Sequence, residues 1–439
     1  MAKVCKFGGS SLCSAEAFLQ AKNVVLSDPE RRYVVCSAIG ARFHGDNKVT
    51  DLLYLAFQHQ KFHVDCSPLL KEIASRYQKV NDDLGLDFDF IQEFAQIEAD
   101  LKAGSITEAE LVSRGEYYSA KLFAKTIGFP FLDAKELFHF AYDGQIDPKA
   151  THEAIQKALK GMDHAVIPGF YGSYPGGAIC LFTRGGSDVS ASYVAEAVDA
   201  SLYENFTDVP GFFMADPRVI ASPRKIREIS YDELRELSYS GAAVLHEETI
   251  LPLTEKLIPI EVLSSASPEE GGTLIKKDTP DKKHLITGLT GKKGFVALTF
   301  VKQRSAGKLE SILAVLNVFA SFGVPIEHIP TSIDSFSVVF DKKKVGDRFF
   351  DLVAALKGID LILSISEDDD IALIAVVGQN MVKKPGVSGR ILSVFGEEGI
   401  NIKLIDQGRK EINIIVGIGN ADFEKSLEAL YTRFAHEKI

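Results

Sequence analysis

Positive charge is in short supply in this chain: of 439 residues, 49 are Lys or Arg and 60 are Asp or Glu, for a formal net charge of −11. That balance argues against nucleic acid or an anionic membrane as a partner, because both need basic faces. An anionic small molecule would have to be drawn in by a local basic cluster. Cysteine is equally sparse. Cys5, Cys13, Cys36, Cys66 and Cys180 are odd in number and contain no C-x-x-C pair. They suit buried thiols in a reducing cytoplasm better than a disulfide frame or a zinc site. The ten histidines show no H-E-x-x-H or comparable spacing, so no metal centre is expected. Long apolar runs are missing too. Stretches such as Ile371 to Val377 have strand length, and the N-terminus carries no apolar signal core. Neither a membrane span nor a secretory leader is expected, and a cytoplasmic location follows.

What is present is an ordinary globular composition, 46% apolar and 25% charged, in a chain long enough for two or three domains. The most informative stretch is Lys6-Phe7-Gly8-Gly9-Ser10-Ser11, which follows a short strand-like start and leads into a helical pattern from Ala15. Glycines at a strand-to-helix turn let the backbone approach an anion, and the helix start offers free N–H groups. Lys6 adds a cation. The order of residues matches neither G-x-x-x-x-G-K-[ST] nor G-x-G-x-x-G, because the lysine precedes the glycines.

Through residue 270, strand-like runs (Tyr33–Ser37, Ala165–Pro168, Leu202–Phe206) alternate with helical stretches (68–104, Glu108–Ile127, Ser187–Val198). This alternation predicts an α/β unit with a mostly parallel sheet between helices, and ligands at the carboxyl ends of its strands. Ser264–Asp281 reads as a linker. A weak repeat follows it. Val296–Val301 and Ile371–Val376 are strand-like, and each precedes an amphipathic helix. One helix carries Leu309, Ile312, Leu313, Leu316 and Phe319; the other carries Val387, Ile391, Val394 and Phe395. Pro325–Ile329 and Ile400–Ile405 are then read as further strands. Two ferredoxin-like β-α-β-β units result, serving either as a ligand-binding regulatory pair or as a dimerisation unit.

Four more motifs invite chemistry. Thr183-Arg184-Gly185-Gly186-Ser187-Asp188 opens a helix after a strand-like segment, and Arg184 is suited to grip a carboxylate bidentately. Asp188 would at least complement the helix dipole. Thr207 and Asp208, in Phe206–Gly211, are placed to border a ribose or base, and Ala215-Asp216-Pro217-Arg218 ends a second turn with a cation. Glu116, in Ser113-Arg114-Gly115-Glu116, lies in a helical stretch where a solvated surface role is the ordinary expectation. Thr50 follows the loop Gly40–Lys48.

Taken together and in order, K-F-G-G-S-S at 6–11, S-R-G-E at 113–116, R-G-G-S-D at 184–188, T-D-V-P-G at 207–211, A-D-P-R at 215–218 and V-L-H at 244–246 resemble the aspartokinases of the amino-acid kinase superfamily. The repeat resembles that family's tandem ACT domains. The resemblance implies a kinase domain over 1–280 and ACT modules over 285–365 and 366–439. It implies transfer of the ATP γ-phosphoryl group to the β-carboxylate of L-aspartate, with Mg²⁺ carried on ATP, in the route to lysine, threonine, methionine and diaminopimelate. By resemblance, Lys6 would neutralise the transferring phosphoryl, Gly8, Gly9 and Ser10 would cradle it, and Asp188 would orient Lys6. Arg184 would hold the α-carboxylate of aspartate and Glu116 its ammonium, with hydrogen bonds from Thr50 and Ser187. Thr207, Asp208, Phe213, Asp216 and Arg218 would border the nucleotide.

The chain departs from the family pattern at Ala243, where a lysine is usual, at Thr183 in place of a glycine, and at Glu247-Glu248. Arg218 or Lys225 would be the replacements for the missing cation. A catalytically weak amino-acid sensor and a kinase for another carboxylate, such as glutamate, are the alternatives. Thr331–Phe336 resembles the effector-facing region of lysine-sensitive members, so Ser332, Asp334 and Ser335 are expected to meet an amino-acid effector, lysine being favoured. Gln407–Asn413 resembles the family's Q-G-S-S-E-I-N with two cations substituted. ACT pairing implies a homodimer.

Overall fold

The apolar start of the chain becomes β1 (Lys3–Phe7), an interior strand of a seven-stranded sheet. In this computed structural model all residues are described except 44, 184, 242–244, 246, 279–283, 304–306 and 438–439, together with the side chains of 247, 248 and 250. Two compact units result. The first comprises Met1–Phe212, Arg227–Tyr231 and Ala243–Pro280, and the second Phe213–Ile226, Asp232–Ala242 and Asp281–Ile439.

In the first unit the strands after β1 are β2 (Arg31–Cys36), β3 (Ala165–Pro168), β4 (Tyr171–Ser173), β5 (Ile179–Leu181), β6 (Leu202–Thr207), β7 (Glu228–Ser230), β8 (Ile260–Ser264) and β9 (Thr273–Lys276). Apart from the β4–β5 hairpin they form one sheet in the order β3-β2-β1-β6-β8-β9-β7, parallel throughout except between β8 and β9. Val4, Cys5, Phe7, Val34, Val35 and Cys36 are all fully buried, the continuous apolar strand pattern that a sheet covered on both faces requires. The helices up to residue 256 are α1 (Ala15–Leu26), α2 (Val49–Lys61), α3 (Ser67–Asp83), α4 (Phe90–Ala103), α5 (Glu108–Ile127), α6 (Pro148–Leu159), α7 (Gly186–Ala197), α8 (Tyr231–Tyr239) and α9 (Glu247–Lys256). Local chemistry sets their ends. A Thr107–Glu110 capping box starts α5, and Gly128 in the left-handed region stops it.

The parallel sheet and the helix over Glu108–Ile127 agree with expectation, but two readings need correction. The polar stretch 68–104 is two helices. Gly85, at φ 68°, turns the chain away after α3, and Asp89 starts α4 by accepting the Gln92 N–H. The stretch read as a linker contains β9, where Thr273 and Ile275 are buried. The preceding Gly272 makes this possible, since a Cβ there would lie 1.8 Å from the Val262 carbonyl oxygen.

The second unit holds one antiparallel sheet in the order β11-β10-β12-β14-β13. Its strands are β10 (Gly288–Lys302), β11 (Ser335–Asp341), β12 (Ile362–Val377), β13 (Leu404–Asp406) and β14 (Asn413–Ile418). Its helices are α10 (Lys308–Phe322), α11 (Lys342–Val345), α12 (Phe349–Lys357), α13 (Val387–Glu397) and α14 (Phe423–Phe434). Two apolar clusters lie along the sheet, one around Val296, Phe300, Val315 and Phe319, the other around Ala372, Ile374, Ile391 and Phe395. Residues 365 and 366 fall inside the single strand β12, so the two halves share a continuous sheet.

Three details differ from the reading of the repeat. Pro325–Ile329 makes only one bridge, from His328 to Val339, since Pro325 and Pro330 bring no N–H to a ladder. The expected strand Ile400–Ile405 contracts to β13. On α10 the buried line is Ser311, Val315 and Phe319, while Leu309 and Leu313 stand exposed.

A buried ion pair fastens the centre of the first sheet. The Arg31 guanidinium on β2 donates from Nε and Nη2 to both carboxylate oxygens of Glu204 on β6, each at 2.8 Å. Cys5 on the intervening β1 donates its thiol to the same carboxylate, and burial together with that carboxylate pushes its pKa well up. Breaking such a pair on one side strands a charge, whereas replacing both partners with apolar residues does not. Glu204→Ala is therefore expected to destabilise the protein by about 3–5 kcal/mol, and Arg31→Met with Glu204→Leu by about 1 kcal/mol or less. Denaturant titration of the two variants checks the contrast.

Candidate active site

The functional residues gather where β1, β2 and β6 end. After Phe7 the chain turns through a short 3₁₀ segment, Gly9–Leu12. The Gly8 N–H donates to the Phe206 carbonyl at 3.0 Å, tying the turn to the end of β6. Gly9 is held on its other side by the loop that leaves β2. Its carbonyl accepts the Gly40 N–H at 2.9 Å, and a Cβ on Gly40 would lie 2.4 Å from the Gly9 carbonyl carbon. A Cβ on Gly9 would in turn meet the Ala38 carbonyl oxygen at 2.9 Å. Both glycines are needed for this approach.

Lys6 is 8% exposed, and its Nζ lies 2.8 Å from Asp188 Oδ1 and 3.5 Å from Asn205 Oδ1. Asp188 reaches it from the first turn of α7, which begins after Gly185 in the left-handed region. The same Asp188 oxygen accepts the Asn205 amide at 3.0 Å and the Tyr203 hydroxyl at 3.5 Å. Tyr203 and Asn205 alternate on β6 and so face the same side, and Asn205 stands opposite Lys6 in register. Burial and the Asp188 carboxylate hold the Tyr203 phenol well above its usual pKa, so it stays a donor. The lysine–aspartate pair was legible as two motifs; the Tyr203–Asn205 support was missed. A polar residue at an interior position of the run Leu202–Phe206 was the available signal.

Ser187 is buried against the turn after β3, where a Cβ on Gly169 would lie 2.6 Å from the Ser187 Cα. Phe170 in that turn has φ 75°, an unusual conformation for a bulky residue, and its N–H donates to Ser190 Oγ at 3.0 Å.

Glu116 overturns the expectation of a solvated surface residue. It is 4% exposed, and its Oε2 has no hydrogen-bond partner among the described residues. Burial raises its pKa to about 8, opposed only partly by its own backbone and by the Ala38 backbone N–H. The carboxyl group is thus desolvated beside Ala38, at the exit of β2, with one oxygen unmet among the described residues. Tyr77 on α3 holds this part of α5 by donating its hydroxyl to the Gly115 carbonyl at 2.6 Å and meeting Ser119 Oγ at 3.3 Å. Thr50 lies in the first turn of α2, at the far end of the same loop that carries Ala38 and Gly40.

Thr207 ends β6, and its hydroxyl donates to Asp208 at 3.1 Å. In the second unit Phe213 bridges to Lys225, and Asp216 and Arg218 form an exposed ion pair across their own turn. That pair holds the Asp216 carboxyl below its usual range. Arg184, Ala243 and His246 lie outside the described residues, as do the side chains of Glu247 and Glu248. In the second unit the Ser332 N–H donates to the Ser335 carbonyl at 2.8 Å, a tight turn with Asp334 exposed between them.

Comparison with known proteins shows the family of the chain. The model of the amino acid kinase family matches residues 1–264, and an ACT domain model matches residues 374–434. Aspartokinase 3 of Bacillus subtilis (strain 168) is 30% identical, with 98% of each chain covered. The crystal structure of Clostridium acetobutylicum aspartate kinase is 38% identical, with a TM-score of 0.89 over 99% of each chain. Escherichia coli aspartokinase III in complex with aspartate and ADP is 27% identical, with a TM-score of 0.80 over 98% of this chain and 99% of its own. The same enzyme in complex with lysine and aspartate has a TM-score of 0.76 over 99% of each chain. With its glycine turn, its Lys6–Asp188 pair and these relatives along its whole length, the chain belongs to the aspartokinases of the amino acid kinase family.

Proposed function

We propose that Lys6, held by Asp188, is the cation that neutralises the γ-phosphoryl group as it passes from ATP to the β-carboxylate of L-aspartate, giving 4-phospho-L-aspartate. The observation that carries the reading is a buried ammonium beside a glycine turn, with the Glu116 carboxyl, one oxygen of which has no partner among the described residues, at the neighbouring strand end. Phosphoryl transfer depends on positioning and charge neutralisation, and these groups supply both. The N–H groups of Gly9 and Ser10 cradle the phosphates, and Gly8, whose own N–H is held by the Phe206 carbonyl, leaves the backbone open to their approach. Glu116 takes the substrate ammonium, Arg184 its α-carboxylate, and Thr50 and Ser187 add hydrogen bonds. Thr207, Asp208, Phe213, Asp216 and Arg218 border the nucleotide in this reading, and the ADP bound by the Escherichia coli relative supports a nucleotide as the phosphoryl donor. In this reading Mg²⁺ arrives on the phosphates of ATP, held mainly by phosphate oxygens and water.

The second unit carries the regulation in this reading, as two ACT modules spanning 285–365 and 366–439. Lysine is the effector we favour, met by Ser332, Asp334 and Ser335. The exposed Leu309 and Leu313 supply an apolar stripe for pairing of modules in a homodimer. No helix among the described residues is long and apolar enough to cross a membrane, and the free cysteines suit a cytoplasmic enzyme.

Acyl phosphate trapped as hydroxamate tests the reaction, with L-aspartate and L-glutamate compared as acceptors, each with and without lysine. Aspartate-dependent product, suppressed by lysine, is expected. Absence of product with aspartate overturns the proposal. Lys6→Ala should lower kcat by about 10²–10³, the scale of losing one preorganised charge-stabilising group.

Glu116 gives a pH signature. Its carboxyl group holds a proton up to about pH 8 in the empty site, and an ammonium is bound only by the ionised form. The KM for aspartate should therefore fall as pH rises toward 8 and then level off. Glu116→Gln should raise KM about 10- to 100-fold and flatten its pH profile. Between the ordinary carboxyl pKa of 4.5 and about 8 the folded state holds the extra proton, so stability declines with rising pH across that window. The glutamine variant escapes this decline, and its Tm in the absence of aspartate should exceed that of the parent by a margin that widens from pH 5 to 8.5.

A further inference from the structure

The Gly40–Lys48 loop touches the site at both ends, yet what holds it lies outside the site. At one end Ala38 meets Glu116 and Gly40 meets Gly9; at the other, Val49 donates to the Ile39 carbonyl at 3.4 Å and Thr50 follows. Between them Asp46 is gripped from two directions. Arg42 donates to it from its backbone N–H and from Nε and Nη2, at 2.8–2.9 Å, and Arg76 on α3 donates from Nη2 at 2.9 Å. Arg76 also donates from Nη1 to the Asn47 carbonyl at 2.7 Å and from Nη2 to Glu72. Its side chain is 2% exposed, and its Nε is buried with no partner among the described residues.

A buried guanidinium with one donor unmet is a poor device for stability alone, because desolvation and the orphaned N–H both oppose it. Its value lies in geometry. A fork that binds a carboxylate and a carbonyl at once fixes both their separation and their plane, which an ammonium does not. The next residue, Tyr77, anchors Gly115 on α5, next to Glu116. Two adjacent residues of α3 thus hold the two elements that face the acceptor amino acid.

We propose that Arg76 is a positioning residue for the acceptor half of the site: through Asp46 and Asn47 it fixes the loop that sets Thr50, Ala38 and Gly40 against the substrate. The inference rests on the aspartate kinase reading. Misplacement by about 1 Å is enough to cost up to two orders of magnitude in a reaction governed by positioning.

The test compares the full-length parent with Arg76→Met, Arg76→Lys and Asp46→Asn. KM for aspartate should rise about 10- to 100-fold in Arg76→Met while KM for ATP changes by less than about threefold. Arg76→Lys, keeping the charge but not the fork, should fall between. Asp46→Asn leaves the buried guanidinium paired with Glu72 and serves if Arg76→Met does not fold; its KM for aspartate should also rise selectively. Hydrogen exchange of the amides in residues 38–50, including the protected Gly40 and Val49 N–H groups, should accelerate in the folded variants without matching acceleration in β1 and β6. Unchanged exchange in 38–50, or parallel loss of both KM values with Tm, overturns the clamp. Failure of the parent to phosphorylate aspartate overturns the functional reading instead, and the exchange comparison still decides the clamp.

Discussion

A lysine side chain is buried at the carboxyl end of the interior strand β1, and its neighbours in the first unit are arranged to hold it in place. Lys6 is largely withdrawn from water and meets Asp188 at 2.8 Å, and Asp188 is itself aimed by Asn205 and Tyr203. The partners come from two elements, Asp188 from the start of α7 and Tyr203 and Asn205 from alternate positions of β6. Parallel strands deliver these residues to one edge because every crossover returns the chain to the same end of the sheet. The Arg31–Glu204 pair meanwhile joins β2 to β6 across β1. The strand carrying Lys6 therefore has little freedom to slip in register.

Glu116 poses the opposite electrostatic problem. Lys6 has its counter-charge in Asp188; Glu116 has none among the described residues, and burial pushes its pKa up to about 8. The empty site is thus incomplete on one side only. In the function proposed above, a zwitterionic substrate entering with its ammonium toward Glu116 would supply a counter-charge and make the ionised carboxylate favourable again. A site organised this way sacrifices stability when empty and recovers it on binding, a trade commonly found where ligands bind.

Much of this arrangement was legible in the sequence because glycine, lysine and aspartate at strand ends carry local signals. Lys6, the following glycines and Asp188 announced themselves by residue type and by their place between strand and helix. Glu116 did not, because helical periodicity alone does not say whether a face meets solvent or a ligand cavity; only the packing of α5 against Ala38 shows it. Tyr203, Asn205 and Arg76 act at long sequence separation and have no motif around them. The β9 strand was hidden by the Ser, Pro and Gly residues before it, whose composition signals a linker even though Gly272 serves close packing. On α10 the leucines misled, since an apolar stripe at helical spacing does not reveal whether it faces its own core.

The contact between Gly9 and Gly40 carries a consequence for how the two halves of the site communicate. With no side chain between them, the phosphate turn and the loop after β2 meet backbone to backbone, linked by the Gly40 N–H to the Gly9 carbonyl. Such an interface has no rotamer to absorb a displacement, so a shift of one segment is passed directly to the other. The loop also runs past Glu116 and on to Thr50. Acceptor-side residues and the phosphate turn are therefore mechanically one piece, joined through three consecutive residues, Ala38, Ile39 and Gly40. An enzyme that must bring a carboxylate in line with a phosphoryl group gains accuracy from that rigidity, because the donor and acceptor cradles are aligned by the same backbone contact rather than independently.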